Sequence, residues 1–421
     1  MRAPRINPRF DSGSAGRRRA LWLVSLAVFL ASSTWFSGTA AAPALRELWA
    51  LSDVQAAWLT ISVQLGFIAG TFLYAVFNVA DIFRPRRVFF LSAVAGALFN
   101  AGFALLASGF SAAVLFRFLT GLTLAGVYPV GMKIVAQWYR SGLGWGLSVM
   151  VGALALGTSL PYLILGIGGI SNYRLWLGGA SALAVLGGFL AGFGVREGPY
   201  LKEAARFDAR AAFRLFRHRP FRLQSLGYFG HMWELYAFWS LGGFYFAESI
   251  GVREPVRPEG ISLLMFSVVG AGVAGCLIGG IISRRIGEKP VALAALTLSA
   301  AFCLASGEIF GLPLAALIPL WLLWGAAVVA DSPQFSSLAV QTCPSEYTGT
   351  ALTIQNGIGF AVTVVSIQFL AWLGQTVGWR WAFTVLAAGP IIGAAALLRL
   401  KNETPSDHPS RPTIAAGMSS G

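Results

Sequence analysis

The chain has 421 residues, 56% of them hydrophobic and only 11% charged, with 50 glycines, a balance too apolar for one or two water-soluble domains. A formal net charge of +14 would suit nucleic acid, but most of the 31 Lys and Arg stand in alternate breaks between apolar runs, which argues against that partner. Runs such as Leu21 to Leu30 and Val291 to Ser306 do not alternate polar with apolar residues, so a membrane barrel is excluded and lipid-spanning helices remain.

In chain order, residues 1–20 read as a basic cytoplasmic tail. Arg17, Arg18 and Arg19, an apolar run and Ala40, Ala41 and Ala42 imitate a cleavable leader, but the stretch is long enough to span. A first helix over 21–43 is therefore expected, followed by 54–80, 86–108, 111–137, 143–169 and 174–195. Residues 196–221 place Arg206, Arg210, Arg214 and Arg217 at helical spacing among Phe207, Phe213, Leu215 and Phe216, which predicts an amphipathic helix on the cytoplasmic leaflet. Six more spans are expected at 222–249, 260–283, 288–308, 312–336, 346–374 and 379–399, and a disordered tail over 400–421. The fold class is all-α membrane protein, with twelve helices in two six-helix bundles over 21–195 and 222–399. The charge pattern puts both termini in the cytoplasm.

The two halves resemble each other. An offset of 204 residues pairs Gly121 with Gly325, Pro129 with Pro333 and Gln137 with Gln341; an offset of 205 pairs Gly144 with Gly349 and Gly152 with Gly357. Parallel repeats around a membrane-normal axis place a site between them near the midplane. Gly66 with Gly70 and Gly275 with Gly279 allow close helix contact within one chain, and a monomer is expected.

Of 17 acidic residues, Glu234 and Asp331 lie well inside expected spans, where an ionisable group is costly unless paired and is a functional candidate by default. His231, three residues before Glu234, shares its helical face, so the two form a candidate proton relay or a pair bracing the seventh helix. Asp331 precedes Ser332 and Pro333, at a bend suited to a gate or a helix cap. Gln64, Gln355 and Asn356 can orient a polar solute or bond between helices, and Tyr236 and Trp239 can wall a site or pack. Cys276, Cys303 and Cys343 have no metal-ligand spacing, and Met232 beside His231 has no second soft ligand at a matching interval. No metal or cofactor is expected.

Two loops and one helix carry a family resemblance. Asp81-Ile82-Phe83-Arg84-Pro85-Arg86-Arg87 follows the second span and Gly280-Ile281-Ile282-Ser283-Arg284-Arg285-Ile286-Gly287-Glu288-Lys289 the eighth. Both resemble, in degenerate form, the Gly-x-x-x-Asp-Arg-x-Gly-Arg-Arg/Lys loop of the major facilitator superfamily. Arg117-Phe118-Leu119-Thr120-Gly121 resembles its Arg-x-x-x-Gly motif. The resemblance implies a gating role for Asp81, Arg86, Arg87, Gly280, Arg285, Gly287 and Lys289. It also implies a part for Arg117 in proton coupling or substrate charge balance, with bonding to helix carbonyls as the alternative.

The expectation is a secondary transporter in a bacterial-type inner membrane, working by alternating access and taking up a small organic solute with protons. Proton-coupled efflux is the alternative. It is disfavoured because Gly157-Thr158-Ser159-Leu160-Pro161 stands where drug/proton antiporters carry a Gly-Pro pair. A membrane enzyme or a non-transporting sensor is the alternative of another class. No Gly-x-x-x-x-Gly-Lys-Ser/Thr motif supports an ATP-driven pump.

Overall fold

The computed structural model describes residues 14–139, 142–168, 172–200, 214–253, 255, 257–343 and 348–400, and these are helical throughout with no strand among them. Ten helices are long and apolar enough to cross a membrane: Val54–Val76, Pro85–Leu106, Phe110–Ala136, Leu143–Gly168, Tyr173–Gly194, Pro258–Ile286, Glu288–Ile309, Leu314–Thr342, Thr350–Val377 and Trp379–Arg399. Two more lie outside that set. One, α1 (Ser14–Ser32), opens on three arginines; the other, Arg219–Gly251, carries Gln224, His231 and Glu234 in its interior.

The first expected span is not continuous. Helix α1 starts at Ser14, inside the predicted tail, and ends at Ser32; short helices α2 (Ser37–Ala40) and α3 (Ala42–Trp49) follow. The break falls on hydroxyls that compete for the backbone: Ser33 Oγ donates to the Leu30 carbonyl at 2.7 Å and Thr34 Oγ1 to that of Ala31 at 3.1 Å. Helix α4 (Asp53–Val76) begins with a capping box between Ser52 and Gln55, α5 is the single turn Val79–Ile82, and α6 (Pro85–Leu106) places proline in its first turn, where the missing N–H costs nothing. The fourth span is split into α7 (Phe110–Leu124) and α8 (Tyr128–Ala136), ahead of Pro129. Helices α9 (Leu143–Gly168) and α10 (Tyr173–Phe189) complete the first half.

The second half repeats the plan with α11 (Arg219–Gly251), α12 (Pro258–Ile286), α13 (Glu288–Ile309), α14 (Leu314–Ala330), α15 (Ser332–Thr342), α16 (Thr348–Val377), α17 (Trp379–Ala382) and α18 (Ala388–Arg399). The amphipathic helix expected over 196–221 lies largely outside the described residues, as does the tail after 400, and Arg219 already belongs to α11.

The halves correspond in their closest contacts as well as in order. A methyl on Gly121 of α7 would lie 2.0 Å from the Val63 carbonyl oxygen of α4, and a methyl on Gly325 of α14 would lie 2.0 Å from that of Val268 in α12. Gly66 meets the Phe118 carbonyl and Gly275 the Ala326 carbonyl in the same way. Lipid offers no hydrophobic drive between helices, so such contacts depend on backbones approaching closely, and only glycine permits that here. Between the halves, α9 packs along α12 and α4 along α16. Large apolar side chains such as Leu98, Leu105, Ile167 and Phe193 remain exposed on the outer faces, as suits lipid contact.

Candidate functional site

The α1–α2 break frees backbone carbonyls inside the bundle, where water cannot satisfy them. Arg117 of α7 does so. It is completely buried, and its guanidinium donates to the carbonyls of Thr34 (2.8 Å) and Leu59 (3.3 Å), to Ser37 Oγ (3.1 Å), to Asn100 Oδ1 (3.3 Å) and to the Trp35 carbonyl. Asn100 is fixed in turn by the Leu177 carbonyl at 2.9 Å and Ser181 at 3.0 Å. Five donors in a rigid fork suit a cluster of neutral acceptors. Arg117 is thus bound to the first-half backbone and is not gathered with the acids of the second half.

The residues that this break presents, Trp35 and Phe36, project into a layer of rings supplied by both halves. Phe67 of α4 and Tyr162 of α9 join them from the first half; Tyr236 and Trp239 of α11 and Phe360 of α16 come from the second. Phe36 stacks on Tyr236 with centroids 6.1 Å apart and planes 12° apart, and Trp35 lies 5.9 Å from Tyr236 at 29°. Phe67 and Phe360 meet at 4.4 Å, and the Tyr162 hydroxyl donates to the Trp239 carbonyl at 3.3 Å. All seven rings are buried. Yet Trp35 Nε1, Trp239 Nε1 and both amide atoms of Gln64, one turn before Phe67 on α4, have no hydrogen-bond partner among the described residues. Buried polar groups are ordinarily satisfied, so the two orphan indoles of the ring layer and the Gln64 amide stand out as groups able to bond a ligand.

The second half holds the titratable groups. Sequence spacing pairs His231 with Glu234, but the structure pairs His231 with Asp331: Nδ1 lies 2.8 Å from Oδ1, both groups buried, in a close approach rather than a well-aligned hydrogen bond. The reason is tertiary. Asp331 sits at the α14–α15 break, its side chain makes no cap bond, and the break turns it toward α11. Glu234 is bonded to other partners. Its Oε1 accepts from Ser299 Oγ at 2.5 Å and Cys303 Sγ at 3.2 Å, both on α13, and from Trp324 Nε1 on α14 at 3.0 Å. Gln355 and Asn356 of α16 are committed to α11, accepting from Gln224 at 2.8 Å and from the Tyr228 hydroxyl at 2.9 Å. His231 Nε2 has no partner among the described residues.

Comparison with known proteins now decides the class. The model of the Major Facilitator Superfamily matches residues 23–366 and, in a second alignment, 225–419. The chain belongs to that superfamily. Members of that superfamily are membrane transporters rather than enzymes. Over 175 residues the chain is 28% identical to the probable galactarate/D-glucarate transporter GudP of Escherichia coli (strain K12). That stretch covers 40% of this chain and 38% of that relative's length.

The superfamily loops take uneven forms here. Arg86 donates to the Val195 carbonyl at 3.4 Å and lies 3.6 Å from Glu197, while Arg87 and Arg285 are exposed. Asp81 lies in α5, and its side chain is outside the described residues. Gly280 lets α12 approach α9, since a methyl there would be 2.4 Å from Ser148 Oγ; Gly287, at φ 88°, ends α12 in a conformation that favours glycine. Lys289 donates to the Leu400 carbonyl at 2.5 Å. Glu197 was not among the expected residues. Burial raises its carboxyl above the ordinary value, and Arg86, Arg84 and Lys133 pull the other way. At the opposite end, Gly166 packs on Leu263 and the Arg46 guanidinium lies 5.6 Å over Phe244. The halves therefore touch at both ends as well as in the ring layer.

Proposed function

We propose that this transporter moves a small organic solute by alternating access, binding it where Trp35, Phe36, Gln64, Tyr236 and Trp239 converge between the halves. The observation that carries the reading is the interfacial ring layer with its unpartnered indole and amide groups. Rocking of the halves parts the rings, and a bound solute supplies the missing partners. Helices α1 and α11 count as spans in this reading, because α1 packs against α9 and α10 and α11 against α16 and α18. That gives twelve spans in two six-helix bundles, both termini cytoplasmic, in a monomer of a bacterial-type inner membrane. The α9–α12 approach at Gly280 forms its cytoplasmic gate, with the Arg86–Glu197 contact bracing the first-half side.

Proton-coupled uptake is the direction we assign. The His231–Asp331 pair joins α11 to the α14–α15 break, so a proton arriving there bears on a hinge, and Glu234 is a second buried acid on the same helix. Sugar acids, the substrates in the name of the E. coli relative, belong in the first panel of solutes. The test is wild-type protein in sealed proteoliposomes enclosing a pH dye, challenged with sugar acids, other organic acids, amino compounds, polyols and heterocycles. Solute entry with lumenal acidification is the expected result. Solute entry with alkalinisation means antiport, and entry with no pH change removes the proton from the mechanism.

A further inference from the structure

We infer that the ring layer selects an uncharged, flat heteroaromatic solute rather than a sugar dicarboxylate. This rests on the binding site proposed above and deepens it. Charge disfavours the dicarboxylate. Two carboxylates taken between the halves require cations in place of water. Arg117 is the one buried Lys or Arg among the described residues, and its Nε, Nη1 and Nη2 all donate to first-half acceptors. His231 lies against Asp331, and Glu234 adds a second acid with neutral donors around it. The interior therefore offers a dianion no free cation and already buries two acids.

Shape favours a flat solute. Phe36 and Tyr236 come from opposite halves, only 12° from parallel, and Trp35 also stacks against Tyr236, at 29°. Separation of the halves turns these faces into a slot walled by one ring on each side, and a flat ring fills such a slot with offset stacking. Hydrogen bonding favours a heteroaromatic edge. The two indole groups only donate, whereas the Gln64 amide both donates and accepts. Together they fit a ring with carbonyl or ring-nitrogen acceptors at its edge and an N–H between them, as in a nucleobase or an aromatic amide. A polyol would leave the ring faces without partners.

The experiment uses full-length protein in nanodiscs, titrated with uracil, hypoxanthine, nicotinamide, galactarate and galactitol. Intrinsic tryptophan fluorescence is the readout, with counterflow of the same solutes in proteoliposomes. Galactitol shares the carbon chain of galactarate without its charge, which separates the two arguments. The expected result is saturable quenching and exchange by at least one heterocycle, with galactarate and galactitol inert. Trp35→Phe and Trp239→Phe keep the ring but remove the N–H and should each weaken that heterocycle about threefold to tenfold. Exchange of galactarate with silent heterocycles overturns the inference and leaves the transport reading intact. Galactitol binding as well as the heterocycles overturns the stacking argument. Silence from every solute, on protein that melts cooperatively, overturns both the inference and the assignment of the ring layer as the binding site. The solute series on wild type needs no variant to fold.

Discussion

The two halves share a skeleton but treat buried charge in opposite ways. Around Gly121 and Gly325 the helices approach equally closely, and the fourth and tenth spans both break ahead of a proline. In the first half the buried charge is a cation, Arg117, surrounded by neutral acceptors and consumed by the backbone of a broken helix. In the second half the charges are acids: one beside a histidine at a helix break, the other beneath three neutral donors. One half uses its charge to hold a shape. The other keeps groups whose protonation can change. Duplicated architecture thus fixes helix packing while leaving each copy free to specialise.

The sharpest way to break this comparison is Arg117→Ala, which strands several carbonyls in the bundle and should destabilise the protein by about 3 kcal/mol or more. A thermal melt in detergent checks it, and Arg117→Lys should recover little because an ammonium cannot reach the same acceptors as a fork. A melt of the Arg117→Lys variant equal to that of wild type would show that the arginine holds no shape. Gly121→Ala and Gly325→Ala probe the shared skeleton: each should cost about 2 kcal/mol through overpacking, and similar shifts in both halves are expected. A large effect in one half alone would end the structural equivalence.

The acids should respond through coupling rather than folding. Asp331→Asn should lower proton-driven accumulation about tenfold while leaving solute exchange near wild type, with Glu234→Gln showing whether the second acid shares that role. Equal loss of exchange and accumulation would make these groups part of the scaffold, like Arg117. The smallest effect belongs to the outer contact at Glu197. Its carboxyl is raised by burial, which outweighs the pull of Arg86, so its contribution to folded-state stability is fullest at low pH and declines as pH rises through the shifted value. Glu197→Gln should flatten that pH dependence and change stability by less than about 1 kcal/mol, measured by melts between pH 4 and 8.

Much of this was legible in the sequence because lipid leaves so few options for a chain this apolar. Most span positions and the buried acids follow from hydropathy and charge. The break after Ser32 did not, since no proline or glycine marks it and the residue that stabilises it, Arg117, is distant in the chain. Helical spacing joined His231 to Glu234, whereas the α14–α15 break delivered Asp331 instead. Trp35, Phe36, Phe67, Tyr162 and Phe360 carry no sequence mark that separates an interfacial ring from a lipid-facing one. Only their burial and mutual contacts do.

The contacts of Arg117 also bear on how such a protein can change. In the break it grips the main-chain oxygens of positions 34 and 35, which every amino acid possesses. The bend therefore does not depend on what side chain position 35 carries. A lineage can exchange Trp35 for another residue, and so alter the ring layer between the halves, without first losing the fold that presents it. Robustness in the backbone and variability in the ring layer are in this way built into a single arginine.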